Sequence, residues 1–142
     1  MKQLLKKQSG FTLLELLIVI VIIGILAVLI IPNLASGPQR ARDAQRKSDL
    51  RNIKTALETY YNDTNSYPGG GSWKTDLTGG ATPYMKTVPQ DPKSKSDYTY
   101  ATTPVACTTG SCTSYTLTAT LENQKDSQAT GANGQYTINS AN

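Results

Sequence analysis

One segment dominates the chain: residues 11–31 read FTLLELLIVIVIIGILAVLII. The segment is almost uniformly apolar, and Glu15 is its only charged residue. As an α-helix it would be about 31 Å long, which matches the hydrocarbon thickness of a bilayer. Its phenylalanine, leucine, isoleucine and valine side chains favour insertion by roughly 5 to 10 kcal/mol, more than one carboxylate near its end costs. The sequence therefore predicts a membrane-inserted helix that carries Glu15 with it.

The net charge of the chain is concentrated before this segment. The 142 residues contain 14 Lys and Arg side chains against 10 Asp and Glu, and Lys2, Lys6 and Lys7 all precede Gly10. Without these three lysines the basic and acidic side chains nearly balance, which argues against nucleic acid as a main partner. By the positive-inside rule, the lysines mark the cytoplasmic side of the inserted segment. We therefore expect the bulk of the protein to lie outside the cytoplasm.

The N-terminus also allows two simpler interpretations. A secretory signal would have an apolar core of about 7 to 15 residues followed by a small-residue cleavage site. Here the core is longer, and the comparable site, Ala35-Ser36-Gly37, is followed by Pro38, whose tertiary amide is a poor scissile bond. A plain membrane anchor fits the length of the segment but gives no role to Glu15.

The residues that flank the start of the segment carry a resemblance. Lys6-Lys7-Gln8-Ser9-Gly10 is followed by Phe11-Thr12-Leu13-Leu14-Glu15. This combination resembles the leader and cleavage site of the type IV pilin family, which includes the pseudopilins of type II secretion. The resemblance implies that a prepilin peptidase removes residues 1–10 by cutting between Gly10 and Phe11, and that the same enzyme N-methylates Phe11. It also places Glu15 at the position of the family's glutamate.

A physical argument gives Glu15 a role in assembly. Cutting before Phe11 leaves an ammonium group at the edge of an apolar helix, and a lone buried charge is costly unless it is paired. We expect Glu15 to pair with the Phe11 amine of an adjacent copy and so to set the register of a filament. The alternative is a carboxylate that stabilises its own helix N-terminus by about 0.3 to 1 kcal/mol.

Gly24 and Pro32 are residues that destabilise the same helix. A proline inside a helix removes one hydrogen bond and costs about 3 kcal/mol, and membranes often tolerate such positions as kinks. The resemblance implies instead that the segment from Gly24 to Pro32 melts to an extended chain when subunits pack into a fibre. We expect this melting only in the assembled state.

Residues 33–62 are expected to continue as an amphipathic helix, with a second break at Gly37-Pro38. Apolar residues recur at near-helical spacings at Ala41, Ala44, Leu50, Ile53, Leu57 and Tyr60. A basic cluster runs from Arg40 to Lys54, but acidic residues interleave with it. We therefore interpret the cluster as a solvated or subunit-facing surface rather than a nucleic-acid stripe.

The sequence of residues 63–142 predicts loops and a small sheet. Gly69-Gly70-Gly71 ends any helix, and one short helical turn is expected from Pro83 to Thr87. Alternating apolar residues predict three strands. The strands are expected at Tyr98 and Tyr100, from Tyr115 to Leu121, and at Tyr136 and Ile138.

Because each predicted strand buries only one face, an antiparallel sheet laid against the helix is the economical architecture. The fold class is therefore α+β: a long N-terminal helix, transmembrane in its first half, packed on a small antiparallel sheet, like the lollipop of type IV pilins. The motif Val88-Pro89-Gln90-Asp91-Pro92 is similar to a signature of G-type pseudopilins and related pilins. Those proteins usually continue with tryptophan and glycine, whereas Lys93 and Ser94 follow here.

Cys107 and Cys112 bracket a short glycine-containing loop between the first two predicted strands. Two cysteines in an exported domain predict a disulfide, here across a hairpin. Closing so short a loop would contribute roughly 2 kcal/mol. Free thiols are the alternative; a metal site would need further ligands, and the chain has no histidine.

The loop from Glu122 to Gly134 mixes carboxylate and amide oxygens with glycine. G-type pseudopilins bind calcium near this region, so the resemblance offers Glu122, Asn123 and Asp126 as oxygen ligands. Calcium requires six to eight oxygens, and Lys125 lies among these few. We therefore favour a polar loop without metal and expect no cofactor.

The chain lacks the parts of an enzyme: it has no histidine, no nucleophile with a recognisable base and no phosphate-binding loop. We expect it to be a substrate of prepilin peptidase and a structural subunit, the major pilin of a type IV pilus-like filament. Its partners would be further copies of itself, the cytoplasmic membrane before assembly, and an assembly platform. The alternatives are a major pseudopilin of type II secretion, in a periplasmic pseudopilus, and a monomeric membrane-anchored binding module.

Overall fold

The computed structural model of the chain describes residues 10–130 and 133–141, with side chains described except at 30–35. It contains three helices and three strands within that part of the chain. These are α1 (Leu13–Ala35), α2 (Gly37–Thr64), α3 (Trp73–Thr78), β1 (Thr99–Thr103), β2 (Ser114–Thr120) and β3 (Gln135–Asn139). The chain divides into two compact units, one ending at Pro38 and the other beginning at Gln39.

The first unit is built around α1. Its large apolar side chains are exposed as far as Leu29, and Phe11, just before the helix, is 88 % exposed. The backbone stays helical through both Gly24 and Pro32, so their melting in an assembled filament remains a prediction. Within the described residues, no helix combines the length and the hydropathy needed to cross a bilayer.

The break between α1 and α2 lies at Ser36, one residue before the predicted Gly37-Pro38 junction. Pro38 is instead the second residue of α2. A proline is tolerated in the first turn of a helix because the backbone N–H it lacks would have had no partner within the helix. Helix α1 therefore ends just ahead of the Gly-Pro pair, and Pro38 lies in the first turn of α2.

The second unit packs the C-terminal part of α2 against the sheet. Leu50, Ile53, Ala56, Leu57 and Tyr60 are buried on one face of this helix. The prediction that Ala41 and Ala44 belong to the same apolar face is wrong, because both are exposed. The buried positions in this earlier part of α2 are the charged residues Asp43, Arg46 and Asp49.

The sheet has the order β1-β2-β3, and both pairings are antiparallel. Tyr100 lies opposite Leu117, which lies opposite Ile138 on the other side. Tyr115, Leu117 and Ala119 of β2 are buried in the core beneath α2. The predicted three strands and α+β class are confirmed, since alternate residues of β2 are directed into the core.

The predicted helical turn from Pro83 to Thr87 is wrong, and the short helix is α3. It buries Trp73 and Leu77, and the Trp73 ring stacks on Tyr100 with centroids 5.0 Å apart. The backbone N–H groups of Tyr84 and Met85 both donate to the carbonyl of Leu77 at 3.0 and 3.2 Å. These bonds hold the chain against the end of α3 instead of within a helical turn of its own.

Candidate functional site

The predicted processing site lies in an exposed, non-helical part of the chain. Gly10 and Phe11 are exposed, and α1 begins two residues after Phe11. Exposed segments outside regular structure are the preferred sites of proteolysis. Gly10 and Phe11 are thus not covered by other described residues, and cleavage between them remains a prediction. Lys6 and Lys7 lie outside the described residues.

Glu15 forms a capping box at the start of α1. Its Oε2 accepts hydrogen bonds from the Thr12 backbone N–H at 3.0 Å and from the Thr12 hydroxyl at 2.8 Å. The Thr12 Oγ1 in turn accepts the backbone N–H of Glu15 at 3.2 Å. This reciprocal arrangement satisfies two N–H groups that have no partner within the helix. In the single chain, therefore, Glu15 stabilises its own helix, and its pairing with a neighbouring Phe11 amine remains a prediction.

The predicted disulfide is present between Cys107 and Cys112, whose Cα atoms are 5.4 Å apart. The Cys112 side chain is buried in the core, and its carbonyl accepts the Tyr67 N–H at 3.0 Å. Gly110, within the closed loop, has a φ of +97°, a conformation that L side chains rarely adopt. The disulfide thus closes the connection between β1 and β2, and the Tyr67–Cys112 backbone hydrogen bond joins that connection to the segment that follows α2.

A buried ion-pair cluster centred on Arg46 was not predicted from the sequence. Arg46 is only 3 % exposed. Its Nε donates to Asp91 Oδ2 at 2.6 Å, and its Nη1 donates to Asp43 Oδ1 at 2.7 Å and to Glu122 Oε1 at 3.0 Å. The interpretation of the basic cluster as a solvated surface is therefore wrong for Arg46, although Arg40 and Arg51 are exposed as expected.

The charges of this cluster stabilise one another. The hydrogen bond from Arg46 is the largest cause that holds the pKa of Asp91 well below its usual range, and the Ser94 and Lys93 N–H groups act in the same direction. The hydrogen bond from Arg42 is the largest cause that lowers the pKa of Glu122, to about 2. The same partners raise the pKa of Arg46. These groups are consequently charged at neutral pH.

The three calcium candidates are already engaged by donors of this chain. Both carboxylate oxygens of Glu122 accept from Arg42, at 2.6 and 2.8 Å. Asp126 Oδ1 accepts the Lys47 ammonium at 2.7 Å, and Asn123 Oδ1 accepts the Lys125 N–H at 3.2 Å.

Within the residues that the structure describes, no group of three or more His, Cys, Asp or Glu side chains is arranged to hold a metal ion. Calcium needs six to eight free oxygen ligands. Both carboxylate oxygens of Glu122, Asn123 Oδ1 and Asp126 Oδ1 already accept hydrogen bonds from positive side chains or backbone N–H groups. As placed, these three residues do not offer the set of free oxygens that a calcium ion needs.

A second unpredicted feature is a set of carboxylates on α2 that accept hydrogen bonds from buried tyrosines. Asp49 Oδ2 accepts the Tyr98 hydroxyl at 2.7 Å. Glu58 accepts the hydroxyls of Tyr67 and Tyr115 at 2.9 and 3.0 Å. The sequence spacing shows these acidic residues on α2, but it does not show which distant hydroxyl groups reach them.

Comparison with known proteins places the chain in a family. The model of the prokaryotic N-terminal methylation motif matches residues 5–31. The type II secretion system core protein G of Aeromonas hydrophila is 40 % identical over 98 residues, which span 61 % of this chain and 68 % of that protein. The protein of the same name from Pseudomonas aeruginosa is 38 % identical over 98 residues, with 61 % and 69 % covered.

The match to a further core protein G, from Escherichia coli, is shorter but has a higher identity. It is 47 % identical over 62 residues, which span 44 % of this chain and 43 % of that protein. No solved structure matches the chain. The methylation motif, the confirmed α+β fold and the identity to the two longer-matched relatives lead to one conclusion: this chain belongs to the type IV pilin and pseudopilin family.

Proposed function

We propose that this chain is the major pseudopilin of a type II secretion apparatus, a structural subunit that polymerises through its N-terminal helix. The observation that carries the proposal is the extent of the match to core protein G. The methylation motif ends at residue 31, whereas the longer matches span 61 % of the chain. The likeness therefore extends into the second unit and goes beyond the N-terminal segment that all filament subunits of this family share.

The sequence alone favoured the subunit of a surface pilus, and the comparisons favour the pseudopilus. The Val88-Pro92 motif supports the pseudopilin as well. Both functions use the same processing at Gly10 and Phe11, the same methylation of Phe11 and the same assembly through α1. A pseudopilus stays in the periplasm, whereas a pilus extends from the cell surface. The two filaments also differ in the process that fails when the subunit is absent.

The location that we propose follows from α1. Its exposed apolar side chains, from Leu13 to Leu29, need an apolar environment because leaving them in water costs about 25 cal/mol per Å². The cytoplasmic membrane would provide that environment before assembly, and the helices of other copies would provide it in the filament. Prepilin peptidase and an assembly platform are the further partners of this pathway.

Deletion of the gene tests the proposal directly. We expect exoproteins to accumulate in the periplasm and to disappear from the medium, and we expect the wild-type gene to restore their release. Intact mass should find a species that begins at methylated Phe11 in the detergent-extracted membrane fraction. Unchanged secretion together with abundant processed protein in the material sheared from the cell surface would instead identify a pilus subunit.

The variant Gly10→Val is a useful companion to the deletion. It alters the residue before the cleaved bond, and nothing lies within 4 Å of an added Cβ at Gly10, so the fold of the second unit should be preserved. We expect an uncleaved chain that fails to restore secretion. A variant that is processed and active at the wild-type level would contradict the assigned cleavage site.

A further inference from the structure

Arg46 binds carboxylates from three separate segments of the chain. Asp43 lies on α2, Asp91 lies in the segment between α3 and β1, and Glu122 comes two residues after β2. The guanidinium donates to all three at N–O distances of 2.6 to 3.2 Å. Arg46 and Asp43 are both only 3 % exposed. One buried cation thus joins the helix to two loops, while the side chains of Asp91 and Glu122 keep 14 % of their exposure.

The carboxylates around Arg46 are also held in place by backbone N–H groups. Asp43 accepts the N–H groups of Glu122 and Asn123 at 2.8 and 2.9 Å. Asp91 Oδ1 accepts the N–H groups of Lys93 and Ser94, both at 2.8 Å. These bonds orient the carboxylates toward a common centre. The result is a set of oriented carboxylates that share one guanidinium.

The charges of the site balance without any further ion. Arg42 and Lys93 both bind Glu122 in addition to Arg46, so three cationic side chains face the three carboxylates. A guanidinium matches carboxylates through a planar fork of donors and remains charged at all accessible pH values. Unlike a metal ion, it is covalently attached and cannot dissociate.

We propose that the Arg46 guanidinium serves as the structural cation of this domain, so that the subunit folds and assembles without calcium. The resemblance to G-type pseudopilins raises the expectation of a calcium ion near the loop after β2, and the residues of this chain do not fit one. Arg46 instead performs the task that a divalent cation performs in an oxygen-rich loop, which is to hold that loop against the rest of the domain. The inference holds whichever filament the subunit forms.

The wild-type protein provides the deciding measurement. We expect the purified, processed full-length chain in detergent to show the same thermal midpoint in 5 mM calcium chloride and in EGTA, followed by circular dichroism. Calorimetric titration with calcium chloride should give no saturable binding. Saturable binding, or a calcium-dependent rise of the midpoint by about 5 °C or more, would overturn the proposal.

The variant Arg46→Ala tests the same idea by removing the internal cation. Four carboxylate oxygens then each lose one hydrogen bond, and we expect the vacated volume to admit a calcium ion with water as the remaining ligands. We expect a lower thermal midpoint in EGTA and a saturable rise of about 5 °C or more with calcium chloride. A folded variant with no response to calcium would count against the proposal, and if the variant does not fold, the wild-type titration decides.

Two further variants serve as controls. Arg51 is exposed on the same helix and forms no ion pair with any residue that the structure describes, so Arg51→Ala removes the same charge outside the site. It should keep the wild-type midpoint with and without calcium. Arg46→Lys keeps a cation but loses the planar fork, so its midpoint should fall without becoming responsive to calcium. A calcium response in Arg51→Ala would mean that bulk charge governs the effect, and a calcium response in Arg46→Lys would mean that a cation at this position does not exclude calcium; either result would overturn the proposal.

Discussion

The hydroxyl of Tyr98 donates a 2.7 Å hydrogen bond to Asp49 Oδ2, and both side chains are buried. The other carboxylate oxygen accepts the Gln45 amide at 2.7 Å. The bond connects the residue just before β1 to the middle of α2. Because Asp49 cannot reach water easily, the phenol is one of the few groups that can compensate for the burial of its charge.

Tyr98→Phe should therefore destabilise the domain by about 1 to 3 kcal/mol, the cost of leaving a buried acceptor unsatisfied. Urea unfolding followed by tryptophan fluorescence from Trp73 would measure the change. Tyr84→Phe is the matched control, because the Tyr84 hydroxyl bonds to Asp63 at an exposed position. Equal losses in the two variants would show that burial of the Tyr98–Asp49 pair does not matter.

Stability should fall at alkaline pH. Burial is the largest cause that raises the pKa of Tyr98, and the Asp49 carboxylate adds to it; for Tyr115 the causes are burial and then Glu58. In the unfolded chain these phenols titrate near pH 10, so their contribution is complete below that pH. Above it, the unfolded state loses protons first, and the free energy of unfolding decreases as the pH rises further.

We expect the urea midpoint to be lower at pH 11 than at pH 9, with a smaller decrease in Tyr98→Phe. Tyr98 faces Asp49, Asp91 and Arg46, and the two carboxylates favour the neutral phenol. Absorbance of tyrosinate at 295 nm would follow the ionisation. Full ionisation of all tyrosines near pH 10 in the folded protein would contradict the prediction.

The disulfide gives a third prediction. Replacing both Cys107 and Cys112 with serine should cost roughly 2 kcal/mol and lower the thermal midpoint by about 10 °C. The loss of stability should be greatest in the hairpin between β1 and β2, where Cys112 is buried in the core. An unchanged midpoint, or full labelling of the wild-type protein by a thiol reagent without reductant, would refute it.

Assembly gives a fourth prediction, which concerns Glu15. The variant Glu15→Ala should reduce filament abundance at least about tenfold, since it leaves the Phe11 ammonium of the neighbouring copy without its partner. Quantitative immunoblotting of isolated filaments would measure it. The control Thr12→Val removes the capping hydroxyl that contacts Glu15 and costs about 0.5 to 2 kcal/mol at the helix start, but it keeps the carboxylate. Filaments of Glu15→Ala at the wild-type level would exclude the assembly role.

Local patterns were enough to predict much of this fold. Alternation of apolar residues located β2, because a strand with one buried face must place Tyr115, Leu117 and Ala119 on the same side. The pairing of Cys107 with Cys112 was predictable since the intervening loop is short. The short helix was missed because Trp73 and Leu77, which α3 buries, stand among glycines and prolines that indicated a loop.

The Arg46 site could not be predicted from the sequence because it forms only through tertiary contacts. The spacing of Asp43 and Arg46 on α2 is visible in the sequence, but it is equally typical of a solvated helix face. Asp91 and Glu122 are distant in sequence and reach Arg46 only when two loops fold against α2. The predicted membrane segment and the predicted processing motif are properties of consecutive residues, so composition and order alone are enough to predict them. A buried charge is stable only where other segments of the chain bring oppositely charged side chains into contact with it. Only the folded domain provides those contacts.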